Sequence, residues 1–334
     1  MEKPVEVVSK LNYRHFEESD MEEILQLWKE ESGWGEITAK QFNDWYINTP
    51  YGKCIVIVAT DDENKIAGQI VYSPSRMIID NKEIKTLRGS APIISSSLRQ
   101  GNLRTFDHPA FGLIKKGFEI ATEKGFQYVY TFPSFGWLGM LRLFPKFMPN
   151  PTETVSYDCF AVSLEETQTL PSVKNDCCIN IATSINEEYD ELWQDAVKEM
   201  PIKCGIARHS KWLRFGIGPQ LVLETRTSAD KKLVGYITIK KDSGLITDIL
   251  ARNINDLKIV FDYSLHALHR QNPTGIPVAF TQLKGMLTKN IEPVISSKGF
   301  SIDSYRFAFA GYLLDTAIDF EKIKAENWYM TPFG

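Results

Sequence analysis

The feature that most constrains this chain is an internal repeat. Gly68 and Gly235 lie 167 positions apart, and so do Trp45 and Trp212. In the first copy Ser19-x-x-Glu22 has the pattern of a capping box, with Met21, Ile24, Leu25 and Trp28 following at helical spacing. In the second, Ser184-x-x-Glu187 precedes Tyr189, Leu192 and Trp193 in the same way. A shorter helix-like stretch comes next in each, Gln41–Tyr46 and Arg208–Phe215, and then a Pro/Gly break. Two β-like runs follow, Cys54–Thr60 with Lys65–Tyr72 and Leu221–Thr227 with Lys232–Lys240. An offset held through two helices and a hairpin predicts duplication of one α/β module.

Further along, the offset shrinks. Helical runs Pro109–Lys124 and Asp256–Gln271 end at Gly125 and Gly275, which are only 150 apart. The first copy therefore carries about 17 additional residues, in the polar hairpin around Asp80-Asn81-Lys82 and the loop Ser95–His108. Each helical run leads into a strand-like one, Gln127–Phe132 or Ile276–Thr281. A helix between two strands able to pair in parallel is a right-handed crossover. The expected fold class is α/β (α+β), two tandem domains, each a mixed central sheet with a parallel crossover helix. The expected boundaries are 1–162, a linker at 163–176, a second domain at 177–314 and an extension at 315–334.

Composition narrows the function. With 38 basic and 42 acidic residues the net charge is −4, which leaves no positive excess for nonspecific binding of nucleic acid. The longest apolar runs fall far short of the roughly 20 residues that cross a bilayer. Residues 1–14 are polar and mixed in charge, unlike a signal peptide, so a cytoplasmic location is expected. Five cysteines without CxxC spacing read as reduced thiols. His266 and His269 are three apart but have no acidic partner at ligand spacing, and no metal site is expected. Nothing fixes an oligomeric state.

Several stretches in each half carry a further signal. In the first half they are Phe42-Asn43-Asp44-Trp45-Tyr46 with Pro50, Ile66-Ala67-Gly68, and Gly125 through Pro133. In the second they are Arg208-His209-x-x-Trp212-Leu213, Val234-Gly235-Tyr236, Ile246-Thr247-Asp248-Ile249 and Asn327-Trp328-Tyr329. Together these stretches resemble the GNAT superfamily of acyl-CoA-dependent N-acyltransferases, in tandem, nearest to two-domain members associated with bacterial polysaccharide biosynthesis. The resemblance implies a pantetheine arm between the fourth and fifth strands. It also implies a pyrophosphate at the start of the central helix, where free N–H groups and the helix dipole attract negative charge.

The family's R/Q-x-x-G-x-G/A loop is only partly matched. Thr105-Phe106-Asp107-His108-Pro109-Ala110 keeps the final small residue, and Arg99-Gln100-Gly101-Asn102-Leu103 resembles the loop's start. The residues expected to meet acetyl-CoA or another acyl-CoA are Ser95, Ser96, Arg99, Gly101, Asn102, Arg104 and Ala110. Asp107 could instead cap the helix that Pro109 opens. The second half's loop, Ala251 to Asp256, has no glycine, so no pyrophosphate is expected there.

Acyl transfer to an amine needs an oxyanion donor and proton carriers. The tyrosine expected by resemblance after the fifth strand is Phe144 here. Asp107, His108 and Tyr130 are the remaining candidates. Trp34, Phe135 and Trp137 lie in polar or Gly-rich stretches suited to stacking on a sugar. Asp248 shares an apolar strand face with Ile246 and Leu250, which demands a raised pKa or a firm partner such as Arg208. These residues point to an N-acyltransferase, acetyl first among its donors, acting on a small amine such as an amino sugar. The acceptor is expected in the cleft between the halves. Two alternatives stand beside it: a catalytically degenerate binding protein, and a Fem-type transferase using aminoacyl-tRNA.

Overall fold

The computed structural model describes residues 11–99, 108–143, 152–162, 176–217, 220–241, 246–271, 278–280, 302–324, 327–329 and 331. The linker predicted at 163–176 lies outside them except for Asp176. Two compact units emerge, and neither is a contiguous half. The first comprises Met1–Ser75, Lys85–Thr152 and Ala310–Ile318. The second comprises Arg76–Ile84, Glu153–Phe309 and Asp319–Gly334.

In the first unit, β1 (Asn12–His15), β2 (Ile55–Thr60), β3 (Ile66–Ile79) and β4 (Lys82–Ile94) form an antiparallel run. β5 (Tyr128–Thr131) adds in parallel to β4, after the crossover helix α3 (Pro109–Glu123). Residues Ala310–Leu313 then pair antiparallel with β5. Two helices, α1 (Met21–Glu31) and α2 (Ala39–Tyr46), complete the module's start. Strand alternation sorts the core into two faces. Cys54, Val56 and Val58 pack beneath Ile24, Trp28 and Phe42 of α1 and α2. Ile55, Ile57 and Ala59 pack beneath Leu113 and Phe118 of α3. α3 stops at Gly125, whose φ of 73° ends the helix at little steric cost. A further short helix, α4 (Phe135–Leu141), follows β5.

The second unit repeats this order. β6 (Thr152–Val162) crosses into it, and β7 (Cys177–Ile181) is followed by α5 (Glu188–Glu199), β8 (Cys204–Ile206) and α6 (Ser210–Ile217). Then come β9 (Leu221–Thr227), β10 (Leu233–Ile239), β11 (Ile246–Ala251), α7 (Ile254–Gln271) and β12 (Val278–Phe280). Here β7, β9, β10 and β11 are antiparallel, β12 is parallel to β11, and β6 lies antiparallel to β12. The strand beside β12 thus precedes β7 in sequence, whereas the strand beside β5 is the end of β13 (Ile302–Leu313).

The duplication is visible at atomic level. A Cβ on Gly68 would meet Ile93 O, Ile94 Cα and a side chain of α3, Leu113. A Cβ on Gly235 would meet Leu250 O, Ala251 Cα and a side chain of α7, Val260. The same bulge precedes both glycines, skipping Ala67 between β2 and β3 and Val234 between β9 and β10.

Some sequence expectations need correction. The offset is 167 at the glycines but 166 on the preceding strand, where Ile57 corresponds to Leu223. The Trp45/Trp212 match is fortuitous, since Trp45 is 47% exposed and Trp212 only 4%. Neither predicted capping box forms. Asp20 bonds the Glu17 N–H at 2.8 Å and Arg14 at 2.6 Å ahead of α1, and Asn186 Oδ1 accepts from Glu188 ahead of α5. The C-terminal stretch is no appendage. Asp319–Gly334 belongs to the second unit, where β14 (Trp328–Tyr329) lies parallel to β8. No helix among the described residues is long and apolar enough to cross a membrane. Among the same residues no cluster of three or more His, Cys, Asp or Glu could hold a metal.

Candidate functional site in the first unit

β4 and β5 bond from Thr86–Tyr128 to Gly89–Thr131 and no further. β4 continues five residues to Ile94, while the other chain turns away through Phe132-Pro133-Ser134 into α4. The cause is local. Ala91 has a φ of 47°, a region where a residue with a Cβ is rarely found. Alternation slips there: Leu87 and Ile94 both lie in the α3-side core, with Ala91 and Ile93 in the α1–α2 side. Such a bulge bends a strand and ends its pairing. It is pinned from β3, where the buried Gln69 donates to Ala91 O at 3.4 Å and Ala67 O accepts from Ser95 N–H at 2.8 Å.

Two cavities occupy the resulting gap. One, of about 220 Å³, lies among Gly89, Ser90, Val129 and Thr131 and the α3-side core. The other, of about 340 Å³, lies among Ile93, Ile94, Glu31, Arg99 and His108. Trp34, Pro92 and Trp137 border both. The expected aromatic pair Trp34 and Trp137 is thus brought together, whereas Phe135 is exposed and borders neither. Thr131 Oγ1 donates to Gly89 O at 2.9 Å and closes the last rung of the β4–β5 pair.

His108 stands where Asp107 was expected to cap. Its Nδ1 accepts from the Ala110 N–H at 3.2 Å and it is the N-cap of α3. With Nδ1 an acceptor, the neutral ring carries its proton on Nε2, so the free nitrogen of His108 is a donor rather than a base. The start of α3 offers little to an anion: Pro109 has no N–H, that of Ala110 is held by the ring, and that of Phe111 by His108 O at 2.9 Å. Burial lowers the His108 pKa. The native state therefore resists a proton that the unfolded chain accepts, and stability present above about pH 6.5 is lost as pH falls through that value toward the native pKa. His108→Asn keeps a capping oxygen without titrating. The gap in Tm between wild type and this variant, measured from pH 8 to pH 5, is expected to move in the variant's favour as pH falls.

Arg99, Ser95 and Ser96 reach Glu31 at the end of α1. Arg99 contacts the Glu31 carboxylate at 3.0 Å and its main-chain carbonyl at 2.7 Å, and Ser96 Oγ bonds the same carboxylate at 2.8 Å. The Ser96 backbone N–H, more than the two serine hydroxyls and the Arg99 charge, holds the Glu31 pKa below the usual range. Glu31 was not legible as a site residue, because it closes an amphipathic helix and belongs to no short motif. Arg88 was missed too, although a charge within a buried strand is a signal; its guanidinium lies 5.5 Å from the Phe132 ring centroid at the first cavity.

Tyr130 is fully buried and alternates away from Val129 and Thr131, which line the first cavity. Ala110 is buried at the second helical position of α3. Gly101, Asn102, Arg104, Asp107 and Phe144 lie outside the described residues. Asp248, in the second unit, is fully buried and bonded to Arg208 at 3.0 Å and Tyr236 at 2.7 Å.

No protein-family model matches the sequence, and no curated protein matches it either. Solved structures do. A conserved protein of unknown function from Enterococcus faecalis, described as a probable N-acyltransferase, aligns with a TM-score of 0.67 at 10% identity, over 92% of this chain and 73% of that one. A GCN5-related N-acetyltransferase from Anabaena variabilis gives 0.66 at 14% identity, with 92% and 73% covered. A tandem GNAT protein from the clavulanic acid biosynthesis pathway gives 0.51 at 12% identity, with 91% and 99% covered. Identities this low speak for the fold alone: the chain has the GNAT fold, in tandem.

Proposed function

We propose that the chain is an acyl-CoA-dependent N-acyltransferase, that its first unit takes the acyl-CoA between β4 and β5, and that the acceptor is a small amine such as an amino sugar. One observation carries this reading: two parallel strands part at the Ala91 bulge and leave a gap lined by both. Beyond Gly89 the main-chain groups on that side of β4 lack their β5 partners, and an amide-bearing arm laid along the strand can replace them. The residues fit the thioester end of such a ligand well. They fit its pyrophosphate poorly at α3, whose first N–H groups are already bonded, so phosphate contacts fall to the loop before it.

Transfer joins the amine nitrogen to the thioester carbonyl carbon, breaks the carbon–sulfur bond and returns a proton to the thiolate. Holding both reactants in the gap supplies much of the rate. His108 Nε2–H is a donor at the second cavity. Trp34, 62% exposed, and Trp137 flank both cavities, and their indole rings suit a flat, partly apolar acceptor such as a sugar.

Calorimetric titration with acetyl-CoA tests this. Saturable binding is expected, with stabilisation of about 2.7 kcal/mol at a hundredfold excess over Kd. No heat and no Tm shift with millimolar acetyl-CoA, with longer acyl-CoAs and with CoA itself overturn the proposal. A second reading, binding without transfer, is favoured by the engagement of Glu31 with Arg99 and of His108 Nδ1 with Ala110. It predicts binding but no thiol release with amino sugars.

A further inference from the structure

The first cavity extends well past the strand gap into the α3-side core. Its wall there is formed by Ile70, Tyr72, Phe118, Val129, Leu141 and Tyr312. The cavity, strand gap included, measures about 220 Å³, against the roughly 150 Å³ that holds a benzene ring. Packed cores leave few such voids. The space is maintained by a close approach: a Cβ on Gly117 would come within 2.9 Å of Tyr72 Cζ, so only glycine lets that ring lie against α3. The wall presents mainly aliphatic and aromatic carbon, which suits an apolar occupant.

Resting on the acyltransferase reading above, we infer that this cavity is an acyl-chain pocket, and that the donor carries an apolar acyl group of about six carbons, or an aryl group of that size, rather than acetyl. The chain enters beside Gly89 and Thr131, where the two strands part, and runs between β3 and α3. Tyr72, Val129 and Leu141 set its length.

Titration of the full chain with free CoA, acetyl-CoA, butyryl-CoA, hexanoyl-CoA and benzoyl-CoA tests the inference. Each buried methylene is worth up to about fourfold in Kd, so hexanoyl-CoA is expected to bind about 100-fold tighter than acetyl-CoA. Leu141→Phe, and independently Ile114→Phe, are expected to reduce that ratio below about tenfold by filling the pocket. Equal affinities for acetyl-CoA and hexanoyl-CoA overturn the inference and leave the acyltransferase reading intact. A hexanoyl preference that both variants retain also overturns it, because the chain then lies elsewhere. Failure of every thioester and of CoA itself overturns the acyltransferase reading.

Discussion

Asp248→Ala is expected to destabilise the second unit by about 3–5 kcal/mol, as loss of one partner from a buried ion pair does elsewhere. Arg208 and Asp248 have no exposed surface. Arg208 Nε donates to both carboxylate oxygens, at 3.0 and 3.2 Å, and its other nitrogens reach Ile206 O at 2.8 Å and Thr331 Oγ1 at 3.1 Å. The carboxylate also accepts from Tyr236 at 2.7 Å and Thr331 at 2.7 Å. The guanidinium lies 4.7 Å from the Tyr329 ring centroid and 5.6 Å from that of Trp193. Burial opposes the charge on Arg208, but Asp248 and the neighbouring tyrosines outweigh it and keep its pKa raised. Removing the carboxylate leaves a cation with nowhere to place its charge. Denaturant titration should show a lower midpoint at unchanged m-value. The double change Arg208→Met with Asp248→Leu should recover much of the loss. Retained stability in Asp248→Ala alone would mean that water reaches Arg208.

The sequence hinted at this network without revealing its purpose. A carboxylate on an apolar strand face demanded a partner, and Arg208 was its candidate. Thr331 could not be anticipated, because residues 315–334 read as an extension and only the β8–β14 pairing shows why they belong to the core. The duplicated module was legible because helical spacing and β alternation are local signals. The polar hairpin at Asp80-Asn81 was legible for the same reason, since both residues adopt the positive φ that tight turns require. The identity of the strands beside β5 and β12 was not, because nothing local distinguishes one partner for a strand from another. Within the site, Trp34 and Trp137 stood out as large rings in loop-like sequence. Ala91 could not stand out: alanine is an unremarkable strand residue, and its positive φ is imposed by the surrounding β-sheet. His108 as a cap was hidden by its neighbour Asp107, the better capping residue by type.

Gly235→Ala and Gly68→Ala should separate the two copies of the module by their consequences. At Gly235 the new methyl would lie 2.6 Å from Val260 Cγ2 and 3.0 Å from Ala251 Cα, and nearer still to the Leu250 carbonyl. Two of these atoms belong to the backbone of a central strand, so relief requires moving β11 off β10. The expected cost is about 3 kcal/mol, at the upper end for overpacking. At Gly68 the equivalent contacts are 3.2 Å to Ile93 O, 3.4 Å to Leu113 Cδ1 and 3.7 Å to Ile94 Cα, which a shift of a few tenths of an ångström relieves. There the expected stability change is about 1 kcal/mol or less. That shift falls on Ile93 and Ile94, which line the second cavity, so on the proposed acyl-CoA function Gly68→Ala should weaken binding of that ligand severalfold while Tm barely moves. Thermal unfolding and calorimetry on both variants check this. If Gly68→Ala leaves acyl-CoA affinity unchanged, the end of β4 is not a wall of the binding gap, whatever the stability of the fold around it.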